Sequence, residues 1–132
     1  MIQIKRSVYN NIIEHAVKEK PIEACGYIGS SDEVLVSSYP MENTDHSPEH
    51  FSFNPKEQFD VLKKSRQAGQ KLSAVYHSHP ASPARPSHED IRIAFDPDIY
   101  YIIISLANTA PVVKSFRIRN GIAQEEEIVI AD

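Results

Sequence analysis

The sequence has little cysteine, no long apolar run and only a small excess of one charge. Its single cysteine, Cys25, can form no intramolecular disulfide, which excludes the cystine framework of a small secreted domain and agrees with a reducing compartment. The longest apolar run, residues 99–106, is too short to span a bilayer. Residues 1–6 run into amphipathic sequence without the apolar stretch of a secretory signal. We therefore expect a cytoplasmic protein with no membrane partner.

The charge balance and the length narrow the class further. The formal net charge is −4, so there is no basic footprint for nucleic acid, and the cluster of Lys63, Lys64 and Arg66 is typical of a solvated helix face. A chain of 132 residues without repeats or an internal linker predicts a single domain over residues 1–132. Whether it forms an oligomer is left open.

Periodicity and turn residues predict an α/β domain with a mixed sheet, two substantial helices and one short helix. We expect strands at residues 2–4, 23–30, 34–39, 51–53, 71–76, 99–106, 112–119 and 122–130. We expect helices at residues 7–20, 55–69 and 87–95. Two glycines in the strand at 23–30 predict a bulge or the close approach of another backbone.

Caps and turns set the expected boundaries of these elements. Ser7 is predicted to cap the first helix, and Asn54 followed by Pro55 is a strong start for the second, which Gly69 closes. Phe59, Leu62 and Val61 are predicted to supply the apolar face of the second helix. Residues 30–32 predict one turn, and the Asn-Gly pair at 120–121 predicts a hairpin.

The stretch that carries chemistry is His77-Ser78-His79, followed by Ser87 and Asp90. In an extended segment alternate side chains share a face, so the two imidazoles could bind one ion, and Asp90 could fold back toward them. About 0.27 His-x-His pairs are expected by chance in such a composition, but only roughly 0.0015 with the serine and aspartate at these spacings. Three protein ligands with a fourth position for water are the arrangement of a catalytic zinc.

This spacing resembles the zinc motif of the JAMM (MPN-plus, JAB1-type) metalloisopeptidase family. The stretch that begins at Glu23 and contains Gly26, Ile28 and Gly29 resembles the family's upstream glutamate motif. Residues 40–43 and 51–55 also resemble the small bacterial members, and the similarity covers about residues 7–110. The resemblance implies a JAMM/MPN-like domain of the cytidine deaminase type, with a mixed, mostly antiparallel sheet.

The resemblance also implies roles for five residues. His77, His79 and Asp90 would bind one zinc ion with a bound water, Glu23 would be the general base, and Ser87 would donate a hydrogen bond to the carbonyl oxygen or oxyanion. Each has a plainer alternative. The histidines could be polar residues at a strand end, Ser87 and Asp90 could form only a capping box, and Glu23 could face solvent.

Other residues with reactive side chains have simpler interpretations. Cys25 is expected to be a small buried hydrophobe, and His46, His50 and His88 are expected to be surface histidines.

The expected function is that of a zinc metallopeptidase or isopeptidase. The small size of the chain and its resemblance to bacterial JAMM proteins imply a ubiquitin-like, β-grasp sulfur carrier ending in Gly-Gly as substrate, cleaved at the amide bond after its C-terminal carbonyl. Two alternatives stay open. The domain could be a non-catalytic scaffold that binds a protein, or a zinc amidase that acts on small peptides.

Overall fold

The fold is described from a computed structural model for residues 1–94 and 96–132. Within these ranges there are eight strands and three helices. The strands are β1 (Ile2–Lys5), β2 (Cys25–Ser31), β3 (Val34–Met41), β4 (Lys71–His79), β5 (Tyr100–Ser105), β6 (Val112–Arg119), β7 (Ile122–Glu126) and β8 (Ile128–Ala131). The helices are α1 (Arg6–Glu19), α2 (Pro55–Gln67) and α3 (His88–Ile93). Two long helices and one short helix were predicted, and this is confirmed.

All eight strands of the described ranges form one sheet in the order β7-β6-β5-β4-β2-β3-β1-β8. Four neighbouring pairs are antiparallel and three are parallel, which confirms the mixed, mostly antiparallel sheet. β7 and β8 lie at opposite ends of this order, although only Glu127 separates them in the chain. The sheet therefore curls until its ends meet, and there the Ile2 N–H donates to the Glu127 carbonyl oxygen at 2.8 Å.

Both faces of the sheet carry buried apolar side chains. Along the central strand β5, Ile102 and Ile104 enter a larger core shared with α1, while Ile103 enters a smaller core on the face that carries α3. The inward face of α1 repeats every four residues, with Val8, Ile12 and Ala16 buried. The α3 face of the sheet is the one on which the candidate site lies.

Two predictions about the helices are wrong. The strand β1 runs directly into α1, so Lys5 is the N-cap residue without a side-chain hydrogen bond, and Ser7 lies inside the helix rather than capping it. Phe59 is 61% exposed. The predicted Val61 is buried together with Ser65, and Phe59 lies two positions, or about 200°, away from Val61 on the helix.

The start of α2 and the glycine predictions are confirmed. The Asn54 side chain accepts from the Lys56 N–H at 2.9 Å and from the Glu57 N–H at 3.3 Å, with Pro55 at the first helical position. Gly69, which follows α2, has a φ of +71°. In β2 the register shifts next to Gly29, which is the predicted bulge.

One turn and one strand differ from prediction. The β2–β3 hairpin turns at Asp32 and Glu33, both at positive φ, one residue later than expected, whereas the predicted turn at Asn120 and Gly121 is confirmed, with φ of 52° and 74°. The expected last strand, residues 122–130, is broken at Glu127, because β7 pairs with β6 while β8 pairs with β1.

Residues 51–53 do not form the predicted strand. Phe51 and Phe53 instead lie in an irregular segment, where their rings contact each other at 5.4 Å and Phe53 packs on Tyr27 at 5.0 Å. The short helix was predicted to run to residue 95, which lies outside the described residues. No helix in the described ranges has the length and apolar character needed to cross a membrane.

Candidate active site

The central strand β4 places His77 and His79 on one face of the sheet. It lies between β2 and β5. Successive side chains of the strand point to opposite faces, so Tyr76 enters the α1 core while the two imidazoles face α3. The histidines are buried, with 3% and 4% of their surfaces exposed. They were expected just beyond the end of a strand, but β4 continues through both of them.

Asp90 reaches these histidines from the first turn of α3. Its Oδ2 lies 3.2 Å from His77 Nε2 and 3.1 Å from His79 Nε2. The same residue completes a capping box with Ser87: the Asp90 N–H donates to Ser87 Oγ at 3.1 Å, and the Ser87 N–H donates to Asp90 Oδ2 at 2.9 Å. Capping and convergence on the histidines therefore occur together, because the cap aims the carboxylate at the imidazoles.

The spacing of the three donor atoms fits one metal ion. Zinc binds imidazole nitrogen and carboxylate oxygen at about 2.0–2.1 Å, and two ligands on one tetrahedral ion are then about 3.3 Å apart. The two Nε2 atoms are 3.1 Å apart, and each lies 3.1–3.2 Å from Asp90 Oδ2. Two imidazoles and one carboxylate are also a donor set that catalytic zinc sites use, with one position left for water.

The tautomer of His79 supports this fit. Its Nδ1 lies 2.8 Å from the carbonyl oxygen of Pro83, which can only accept, so Nδ1 carries the proton. When the ring is neutral, its Nε2 carries a lone pair 3.1 Å from the carboxylate oxygen of Asp90, so this contact needs either a proton on Nε2 or a cation between the two atoms. A cation between these acceptors would satisfy both, and a carbonyl behind the ring is the usual partner of a metal-bound histidine.

The pKa values of the pair show how strongly the two groups interact. Burial alone would raise the pKa of Asp90, but the hydrogen bonds from His77 and His79 outweigh it and hold this pKa far below its ordinary range. Burial alone would lower the pKa of His79, but the hydrogen bond to Asp90 and the Pro83 carbonyl raise it overall. The site thus favours an ionised carboxylate next to positive charge.

Glu23 comes beside this group from the residues that precede β2. Cys25 pairs with His77 across the antiparallel β2–β4 ladder, and the Ala24 N–H donates to Ser78 Oγ at 2.7 Å, so continuing the register places Glu23 level with His79. Glu23 is 2% exposed, which rules out the solvent-facing alternative. Among the described residues, its Oε1 is one of two buried side-chain atoms with no hydrogen-bond partner.

The environment of Glu23 perturbs its acidity. Burial raises the pKa of Glu23 to about 8; the charge of Asp90 acts in the same direction, and that of His79 opposes it. A buried carboxyl with a free oxygen and a raised pKa is typical of a group that exchanges a proton during a reaction. The catalytic role of Glu23 itself stays a prediction.

A cavity of about 330 Å³ opens next to the donor group. His77 and Asp90 form part of its wall, and most of the rest is apolar. The apolar lining includes Tyr27, Phe51, Phe53, Val75, Ile93 and Tyr101. Phe51 also stacks on the His77 ring, with centroids 4.9 Å apart. The cavity is therefore a largely apolar space that borders two of the three donor residues.

The remaining candidates lie where the plain interpretations put them. Cys25 is buried with no exposed surface, and burial raises the pKa of its thiol to about 12. His46, His50 and His88 are exposed, and His50 contacts Asp45 at 2.9 Å. None of these groups is placed among the three donor atoms.

Sequence reasoning missed two residues that support the site. Ser78 points away from the histidines, and its hydroxyl holds the backbone next to Glu23. Asn43 is 5% exposed and binds the Glu23 carbonyl oxygen at 3.1 Å. Alternation along β4 could have indicated the direction of Ser78, whereas the stretch at residues 40–43, which resembles the family, contains Asn43 without indicating its role.

The comparison with protein families identifies this arrangement. The family model described as prokaryotic homologs of the JAB domain matches residues 5–119, which include both histidines, Asp90 and Glu23. The chain belongs to the prokaryotic JAB family. The JAMM/JAB resemblance predicted from the motif is therefore confirmed.

Individual relatives of this JAB-family chain agree. The CysO-cysteine peptidase of Mycobacterium tuberculosis (strain H37Rv) is 28% identical over 135 residues, which cover 100% of this chain and 92% of that protein. A solution structure of a Desulfitobacterium hafniense protein is 43% identical, with a TM-score of 0.90, and the match covers 100% of this chain and 94% of that one. The JAB-family chain is a hydrolase of the JAMM type.

A third comparison concerns the fold alone. The crystal structure of a JAB1/MPN domain protein from Archaeoglobus fulgidus matches with a TM-score of 0.63 and 24% identity, over 97% of each chain. The expected JAMM/MPN-like fold is confirmed.

Proposed function

We propose that this JAB-family chain is a zinc-dependent peptidase that cleaves the amide bond at the C-terminus of a ubiquitin-like, β-grasp sulfur carrier ending in Gly-Gly. The observation that carries the proposal is the convergence of His77 Nε2, His79 Nε2 and Asp90 Oδ2 within 4.8 Å of one another. The strand register sets Glu23 level with His79, and its buried Oε1 has no hydrogen-bond partner among the described residues. The relative named CysO-cysteine peptidase supports a carrier joined to a small group as the class of substrate.

Each residue of the site has a task in amide hydrolysis. His77, His79 and Asp90 would hold the zinc ion, which when bound acidifies a water molecule and polarises the scissile carbonyl. Burial raises the pKa of Glu23 to about 8, and the positive charge of a bound zinc ion would favour its ionised form. In that form Oε1, which has no hydrogen-bond partner, would accept the proton of the attacking water and pass it to the leaving amine. Its burial excludes bulk water from this transfer.

Ser87 would act on the carbonyl oxygen. Its Oγ accepts the Asp90 N–H, so the hydroxyl hydrogen remains free to donate, and the residue is exposed. A hydroxyl donor aimed at the developing oxyanion lowers the barrier of acyl transfer.

The carrier tail would lie along the apolar cavity next to His77. Glycines at the end of the tail allow its backbone to approach a narrow site closely, and an extended tail can donate and accept main-chain hydrogen bonds. The loop at residues 40–50 lies beside Glu23, since the Glu23 N–H donates to the Ser47 carbonyl oxygen at 2.9 Å, and it leads into Phe51, which lines the cavity.

The experiment compares a folded carrier adduct with a short peptide that ends in the same residues. The zinc-loaded protein is expected to release the group joined to the carrier at a higher kcat/KM than it cleaves the peptide. Equal rates would remove the carrier from the proposal and favour a zinc amidase of small peptides. No cleavage of either substrate would favour the non-catalytic scaffold.

Glu23→Gln is the matched catalytic control. The variant keeps the shape of the side chain and the three donors, so it should retain zinc and lose turnover. Full activity of this variant would contradict the assignment of Glu23 as the base. Ser87→Ala should lower kcat and retain zinc, because the variant keeps the backbone N–H that donates to Asp90 Oδ2.

A further inference from the structure

The buried side chain of Asn43 hydrogen-bonds several backbone groups of the loop beside the candidate active site. Its Nδ2 donates to the carbonyl oxygens of Glu23 at 3.1 Å and His50 at 3.0 Å, with a longer contact of 3.4 Å to Ser47. Its Oδ1 accepts from the N–H groups of Asp45 at 3.0 Å and Ser52 at 3.3 Å. One amide therefore ties residues 45–52 to the backbone of Glu23.

The hydrogen-bonding capacity of this amide is fully used. A primary amide has two hydrogens to donate and two lone pairs to accept with, and Asn43 engages all four. Rotating the amide by 180° would set its oxygen against carbonyls and its NH₂ against N–H donors. Only asparagine offers this pattern at this length, since aspartate would lose both donors.

Glu23 is consequently fixed from two sides. On the side of β4, two hydrogen bonds join Ser78 to the backbone of Ala24. The Ser78 N–H donates to the Ala24 carbonyl oxygen at 3.0 Å, and the Ala24 N–H donates to Ser78 Oγ at 2.7 Å. On the loop side, the Glu23 N–H donates to the Ser47 carbonyl oxygen, and the Glu23 carbonyl oxygen accepts from Asn43. The carboxylate has an oxygen without a partner, so its position depends on this backbone.

We propose that Asn43 is a positioning residue, which holds the backbone of Glu23 so that the unpaired carboxylate oxygen stays aimed at the donor group. The same loop carries Phe51, whose ring stacks on His77, so one amide sets the base and a wall of the cavity together. The inference rests on the proposed function for its kinetic test, but its structural half stands without it.

The kinetic test uses Asn43→Asp and Asn43→Ala. Asn43→Asp keeps the size and the acceptor of the side chain and loses the two donors that face Glu23 and His50. In both variants kcat on the carrier adduct should fall about 10–100-fold, the range seen when a residue supporting an active-site group is lost, while KM changes little. Zinc content should stay that of the wild type, because the donors lie on β4 and α3.

Thr44→Val is the matched control. Thr44 lies in the same loop, and its Oγ1 donates to the Ser52 carbonyl oxygen at 3.1 Å, but it has no hydrogen bond to Glu23. The control should keep wild-type kcat. A loss of kcat in Thr44→Val as large as that in Asn43→Asp would show a general effect of loosening the loop and would overturn the positioning role.

A second readout needs neither zinc nor substrate. In the metal-free protein, Asn43→Asp should speed hydrogen exchange of the Glu23 amide about tenfold, the equivalent of about one hydrogen bond, because Ser47 loses its support. The Ala24 amide, bound to Ser78, should exchange at its wild-type rate. Unchanged exchange at Glu23 would contradict the inference even if the variant were inactive.

The two proposals fail in different ways. If the wild-type protein cleaves no carrier adduct, the proposed function falls, and hydrogen exchange alone still decides whether Asn43 holds Glu23. If the wild type cleaves the adduct, Glu23→Gln is inactive and both Asn43 variants keep full kcat, only the positioning role falls.

Discussion

Replacing Glu23 by glutamine should stabilise the metal-free protein, although it removes the proposed base. The side chain is 2% exposed, and its Oε1 has no hydrogen-bond partner within the described ranges, so ionisation inside the fold is costly. Burial raises its pKa from the ordinary value of 4.5 to about 8. Glutamine has nearly the same shape and carries no ionisable proton, so it avoids this cost.

The sign and size follow from linkage. Between pH 4.5 and 8 the folded protein holds a proton at Glu23 that the unfolded chain has released, so the stability of the wild type falls as pH rises through this window. Below pH 4.5 both states are protonated and the cost disappears. pH 7 lies about 2.5 units above the ordinary pKa, and each unit costs about 1.4 kcal/mol. The free energy of unfolding of the wild type is therefore lowered by about 3 kcal/mol at pH 7. That corresponds to roughly 10 °C in Tm for a chain of this length.

Urea unfolding of chelator-treated wild type and Glu23→Gln at pH 5, 6, 7 and 8 measures this difference. Subtracting one protein from the other cancels the titration of the groups that both share. The advantage of the variant should be under about 1 kcal/mol at pH 5 and should grow by about 2.5 kcal/mol by pH 7. A difference that does not change with pH would refute the reasoning that burial controls this carboxyl.

Two further predictions concern β2. Cys25 has no exposed surface, and burial raises the pKa of its thiol to about 12. Iodoacetamide at pH 8 should therefore leave the folded protein unlabelled but label the protein rapidly in urea. Equal labelling in both conditions would show that the thiol is accessible in the fold. Gly26→Ala should destabilise the fold by about 2–3 kcal/mol, because a Cβ would lie 2.5 Å from both the Tyr39 carbonyl oxygen and the Tyr76 ring. In Gly29→Ala the tightest contact is the flexible end of Gln70, so the same chemical denaturation should show a smaller loss; the reverse order would contradict the packing.

Elements with local signals could be predicted from the sequence. Asn54 and Pro55 begin α2 because an amide cap followed by proline satisfies the first turn from neighbouring residues alone. The Asn120–Gly121 turn likewise depends on two adjacent residues that tolerate positive φ. The grouping of His77 and His79 follows from alternation along a strand, which needs no long-range information.

Features set by distant partners could not be predicted. β7 pairs with β6, but β8, which follows it, pairs with β1, some 126 residues away in the chain. No residue type near Glu127 indicates that the pairing partner changes there. The face that α2 turns toward the sheet depends on what it packs against, which is why Val61 is buried and Phe59 is not. Ser7 fails as a cap because β1 enters α1 without a break.

The candidate site divides in the same way. The donors and Glu23 could be predicted because their residue types carry the chemistry and their spacing resembles that of a known family. Asn43 could not, because its five hydrogen-bond partners are backbone groups, which every residue has and which only the folded loop brings together. Supporting residues of this kind become visible only once the backbone path is known.

The most direct test of the central claim is the zinc content per chain by native mass spectrometry. The wild type, as purified and after zinc reconstitution, is compared with His77→Ala. We expect one zinc ion per wild-type chain and far less in the variant, because the variant loses one of three donor atoms that lie 3.1–3.2 Å apart. Equal zinc binding by both proteins, or none by either, would contradict the assignment of this group as the metal site.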